Sequence, residues 1–120
     1  MPFIESSENP IVDLSFNFGV RIVNFYRYLT TKNVYVLSKQ ILRCGTSIGA
    51  NVHESIHAQS KADFISKMNI ALKEADETEY WLKLLWKSEV IEEKDYKSLS
   101  NDVKQIIGTL VKIIKNSKAA

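Results

Sequence analysis

The sequence predicts an all-α fold, an antiparallel up-down-up-down four-helix bundle in a single domain. Three observations lead there. Both prolines lie within the first ten residues of the 120-residue chain, so the rest lacks the residue that breaks helices. Apolar side chains recur at steps of three and four through four long segments. Those segments are separated by breaks of only a few polar residues, which favours antiparallel neighbours over crossover connections.

Residues 1–8 read as a tail or lead-in. Asn9-Pro10 reads as a helix start, with Asn as N-cap and Pro at the first helical position, where its missing N–H does no harm. Asp13 suits the positive end of the helix dipole. Helix 1 is predicted to run to about Thr31 and is apolar on two sides. Val12, Phe16, Val20 and Val23 mark one face; Phe18, Ile22, Phe25 and Leu29 mark a broader one. Such a helix should find neighbours on both sides.

After Thr30-Thr31-Lys32-Asn33, helix 2 is predicted from about Val34 to Ala58, with Leu37, Ile41, Cys44, Ile48 and Val52 as its apolar stripe. Gly45 and Gly49 sit four apart within it. An interior Gly costs a helix about 1 kcal/mol relative to Ala. Two of them are explained if another backbone passes close by, within the chain or in a second copy. Ser60 and Asp63 resemble a capping box opening helix 3, predicted over Lys61–Lys87 with Phe64, Met68, Ala71, Ala75, Thr78, Leu82 and Leu85 on one side. Asp63–Lys67 and Glu79–Lys83 are spaced as i,i+4 ion pairs. Beyond Ser88-Glu89-Val90-Ile91, helix 4 is predicted from about Glu92 to Lys115 on the seam Tyr96, Leu99, Val103, Ile106, Leu110 and Ile113.

The net charge of +2 does not by itself announce a nucleic-acid binder, but its distribution is uneven. Residues 14–53 carry Arg21, Arg27, Lys32, Lys39 and Arg43 and no acid, while residues 54–120 are balanced. Lys39 and Arg43, one turn apart with Thr46 and Ser47 continuing that side, form a basic patch edged with hydroxyls that suits phosphate contact, with Lys32 and Arg21 behind them. The plainer reading pairs Arg43 with a carboxylate of helix 3 or of another subunit. A lone Cys44 on an apolar stripe cannot staple the fold and points to a reduced, cytoplasmic setting. No apolar run reaches the ~20 residues of a membrane span.

Two catalytic patterns occur by letter. His53-Glu54-Ser55-Ile56-His57 matches the H-E-x-x-H of zinc hydrolases, where two His one turn apart hold the metal. No third ligand is singled out; Glu74, Asp76, Glu77 and Glu79 are equal candidates, so His53 and His57 are expected to hold no metal. Gly45-Thr46-Ser47-Ile48-Gly49 matches G-x-S-x-G, but that motif works on a strand-to-helix turn, and here both flanks are helical. Trp81 and Trp86 read as anchors of a core or an oligomer interface.

The pattern Arg43-x-x-x-Ser47-Ile48-Gly49-Ala50-Asn51-Val52-x-Glu54, then Ala58-x-Ser60, Asp63-Phe64 and Ala71-x-Lys73-Glu74-Ala75-x-Glu77-Thr78-x-Tyr80-Trp81-Leu82, closely resembles the four helix bundle protein family. This is the 23S rRNA intervening-sequence protein family, related to the accessory variability proteins of diversity-generating retroelements. The resemblance implies a four-helix bundle, a barrel-like homopentamer, no catalysis and no cofactor. It places the family's shared polar residues at Arg43, Asn51, Glu54, Glu74 and Glu77. Retroelement relatives bind nucleic acid and a reverse transcriptase, so RNA, DNA or a nucleic-acid-processing enzyme is the implied partner. Those relatives are strongly basic, whereas this chain is nearly balanced. The expected role is a non-catalytic, homo-oligomeric, RNA-associated scaffold; the alternative is a structural or protein-docking oligomer without nucleic-acid affinity, and a remote alternative is an H-E-x-x-H zinc hydrolase on His53 and His57.

Overall fold

The computed structural model describes residues 10–119. Four helices account for them, with no strand among the described residues: α1 (Pro10–Thr31), α2 (Val36–Ser55), α3 (Lys61–Lys87) and α4 (Glu93–Ala119). The expected lead-in over residues 1–8 and the Asn9 cap lie outside the described residues. Successive helices pack on one another, and α1 meets α4 across a thinner seam than those between successive helices. The result is a rod of 46 × 20 × 18 Å.

Each predicted stripe is traceable in the core. Every residue named on the helix 3 side and the helix 4 seam is buried. So are Ile41, Cys44, Ile48 and Val52 of α2, and Phe18, Ile22, Phe25 and Leu29 of α1. The other apolar face of α1 behaves differently. Phe16 and Val20 are 68% and 48% exposed, and Val23 is exposed beside them. The neighbours expected on both sides of α1 are thus met within the chain on one side only.

The breaks have physical stops. At the first, Asn33 turns left-handed at φ 63° and the Val34 N–H reaches back to the Leu29 carbonyl at 3.0 Å. At the third, Glu89 does the same at φ 64°, with Val90 donating to Leu85 at 2.9 Å. Both reversals satisfy carbonyls that the helix end would leave bare. Between them, the Ser60 hydroxyl accepts from the Asp63 N–H, and the Asp63 carboxylate accepts from the Gln59 N–H, both at 3.1 Å. Asp63 therefore serves the cap rather than the predicted pair with Lys67, which instead lies 3.8 Å from Glu54. α2 is shorter than predicted: Ile56, His57 and Ala58 bond three residues back, in a tighter turn.

Gly108 lies mid-α4 with open space where a Cβ would project. Gly108→Ala is expected to stabilise the fold by about 0.5–1 kcal/mol, read as a rise of a few degrees in the thermal midpoint.

Candidate functional site

The small-residue stretch of α2 faces α1 of the same chain. A Cβ on Gly45 would lie 2.8 Å from Cγ1 of Ile22, and one on Gly49 would lie 3.1 Å from the Ser15 carbonyl oxygen. The glycines therefore set the approach of α1 to α2, and contact partners on α1 count down as those on α2 count up. Of the two positions weighed for this seam, within or between chains, the geometry occupies the first. Ser47, which stands at the nucleophile position of G-x-S-x-G by letter, donates to the Arg43 carbonyl at 2.6 Å within its own helix.

On the opposite flank of α2, Arg43 is clasped by two carboxylates of α3. Its Nη1 donates to Glu74 at 3.2 Å and its Nη2 to Glu77. Glu77 also accepts from the Trp81 indole N–H at 3.1 Å. The chain thus brings Arg43, Glu74, Glu77 and Trp81 together as one partly exposed network joining α2 to α3. Arg21 is held on the other side of the molecule, by Asp102 at 2.6 Å and by the Ser98 hydroxyl at 2.9 Å, both on α4. Lys32 lies over the Tyr28 ring, 5.1 Å from its centroid, and that neighbour holds the ammonium pKa above its usual range. Lys39 is exposed. Arg21 therefore lies on a different surface from Arg43, while Lys39 stays one turn from Arg43 on α2. Arg43 and Arg21 are already neutralised within the chain and face different helices.

Asn51 donates to the Ser47 carbonyl at 2.8 Å, and Glu54 is the partner of Lys67. Trp86 is half-buried and stacks on Tyr96 with ring centroids 4.6 Å apart, while the Lys87 ammonium sits over the Trp86 ring 4.1 Å from its centroid. Glu79, expected to pair with Lys83, instead accepts from the Tyr96 and Ser100 hydroxyls, the latter at 2.7 Å. That carboxylate pushes the Tyr96 phenol above its usual pKa. The periodicity of α3 gave no hint of this cross-helix anchor, because it reports which face a residue occupies and not which partner awaits it.

His53 and His57 are both exposed at the end of α2, their ring centroids 6.1 Å apart. Helix α2 stops at Ser55, so the second His leaves the helical register that the zinc motif requires. Of the third ligands weighed, Glu74 and Glu77 are spent on Arg43 and Glu79 on Tyr96. No group of three or more potential ligands is assembled among the described residues. Cys44 is buried, and burial pushes its thiol pKa up. A thiolate-directed reagent is expected to label it far more slowly in the folded protein than in denaturant, as followed by thiol titration.

No helix among the described residues is long and apolar enough to cross a membrane. The family model for 23S rRNA-intervening sequence protein matches residues 7–112. The chain belongs to the 23S rRNA-intervening sequence protein family. Comparison with curated proteins gave no match. A crystal structure of a protein of unknown function from the S23 ribosomal protein family of Bacteroides thetaiotaomicron is similar at a TM-score of 0.88 and 55% identity. That similarity spans 90% of this chain and 97% of the other. Within this member of the 23S rRNA-intervening sequence proteins, Arg43, Glu74 and Glu77 tie α2 to α3.

Proposed function

We propose that the protein is a non-catalytic scaffold that assembles with copies of itself and associates with nucleic acid, RNA above all, in the cytoplasm. The observation that carries the assembly is the outward face of α1. Phe16, Val20 and Val23 form an apolar stripe at helical spacing, and Phe16 abuts Gly49 of α2. Further round the rod, Tyr80 and Leu84 of α3 are exposed, as is Val36 at the start of α2. Contiguous apolar surface of this kind marks a protein interface. Two different apolar surfaces on one subunit suit a head-to-tail contact, which closes into a ring. An up-down-up-down bundle assembled as a homopentamer fits that requirement, and the descending register of α1 against α2 supports the topology.

Multivalency is the mechanism. A subunit of net charge +2 binds phosphates weakly, whereas several linked copies raise the effective concentration of each contact. The neutralisation of Arg21 and Arg43 inside the chain favours a second reading, a protein-docking oligomer with no nucleic-acid affinity. Light scattering combined with a nucleic-acid titration over salt separates them. Oligomers whose RNA affinity falls as salt rises support the scaffold. Oligomers indifferent to RNA at low salt support the docking module, and a monodisperse monomer overturns both.

A further inference from the structure

Beyond Asp102 the chain contains no acid, yet it carries Lys104, Lys112, Lys115 and Lys118. All four are exposed on α4. With 100° of turn per residue, Lys94, Lys104, Lys112 and Lys115 fall on the side of α4 opposite its buried seam, with Lys118 at the margin. None of Lys104, Lys112, Lys115 and Lys118 is paired with a carboxylate among the described residues; of the acids of α4, Asp102 is held by Arg21, Asp95 lines the groove with Phe25 and Tyr28 of α1, and Glu93, in the first turn, is paired with Lys97.

The face around Lys94, Lys112 and Lys115 is otherwise polar, with the half-buried Val111 at its margin towards Lys118. Asn101, Gln105 and Gly108 are exposed along it, and the space where a Gly108 side chain would stand is empty. None of the exposed large apolar side chains among the described residues lies on α4. A face without aromatic rings offers unstacked bases nothing to lie on, so it does not suit a single strand. Without apolar side chains to insert, it does not suit a lipid surface either. What it does offer is a line of ammonium groups from Lys94 to Lys118, about 36 Å long at 1.5 Å per residue. That length matches about ten base pairs of a B-form DNA duplex, in which each strand carries a phosphate every ~3.4 Å of axis, and somewhat more in the more compressed A-form of RNA.

We propose that the outward face of α4 is the phosphate-binding surface of this protein, and that it takes the sugar–phosphate backbone of double-stranded nucleic acid without reading its bases. The proposal rests on the nucleic-acid reading above and relocates its contact from α2 to α4. The assembly stripe lies on α1 towards α2, so docking of copies there leaves α4 open, and each subunit adds one lysine face.

The test is a titration of a fluorescent RNA duplex of twenty base pairs into the full-length protein over a range of salt. Two variants are compared with the unsubstituted chain. One, the α4 variant, carries Lys104→Gln, Lys112→Gln, Lys115→Gln and Lys118→Gln; the other, named the α2 variant although Lys32 lies in the turn just before that helix, carries Lys32→Gln and Lys39→Gln. Circular dichroism and light scattering confirm that both keep the fold and the oligomer. The α4 variant is expected to lose at least about tenfold in affinity at low salt, and its plot of log affinity against log salt is expected to flatten by ~3–4 units per engaged subunit. The α2 variant is expected to bind as the unsubstituted protein does. If the α4 variant binds normally while the α2 variant fails, the surface is on α2; the α4 proposal is overturned and the nucleic-acid reading stands. If the unsubstituted protein ignores the duplex at low salt, both fall. Retention on anionic phosphatidylserine vesicles without duplex binding overturns the proposal in favour of a lipid surface.

Discussion

Gly45→Leu is expected to destabilise the fold by about 3 kcal/mol or more, since it forces extra carbon into a packed seam. The site is already full: a single Cβ there would stand within 2.9 Å of both Cγ atoms of Ile22, which is itself fully buried. Ile22 is β-branched and has little rotamer freedom with which to retreat. A leucine would drive α1 off α2 along the whole contact, including Gly49, where the obstacle is the Ser15 backbone rather than a side chain. Gly45→Ala separates propensity from packing. It gains up to about 1 kcal/mol of helix propensity against the same crowding, so it should fall well short of the Leu loss. Urea unfolding of both variants checks this, and a Gly45→Leu protein as stable as the original would mean that the two helices are not in close approach.

Phe16→Glu with Val20→Glu is expected to convert the proposed oligomer to a monomer with unchanged helical content. In one subunit both side chains are exposed, so the substitutions remove little intrachain packing. Between subunits they would place two carboxylates where apolar area should be hidden. Burying an unpaired charge costs several kcal/mol, enough to abolish association at micromolar concentration. Light scattering and circular dichroism read the two quantities separately. An oligomer that persists with both glutamates in place would show that the α1 stripe is not the contact.

The cores of α3 and α4 were legible residue by residue. Their buried positions repeat at threes and fours without interruption, and the only interior glycine, Gly108, points to open space. The end of α2 was not legible. Ile56 and Ala58 prolong its apolar rhythm, and no Gly or Pro marks the stop, which comes from local hydrogen bonds three residues back. The partners of Arg43 were not legible for a different reason. Periodicity placed Arg43 on a flank of α2, but whether that flank meets water or Glu74 and Glu77 depends on the register of α3. The lysines of α4 were visible as letters throughout. Counting charge over residues 54–120 as a block averaged them against acids that the fold sends to other faces.

Because the helices pack chiefly on their neighbours in sequence, most native contacts close only short loops. Chains built in this way fold quickly, on the microsecond-to-millisecond scale, since little entropy is lost before a contact is rewarded. The exception is the junction of α1 with α4, where Arg21 must find Asp102 across most of the chain. That junction is the natural last step of folding and the first place to open under strain, so slow hydrogen exchange should concentrate in α2 and α3 and fade towards the α1–α4 edge.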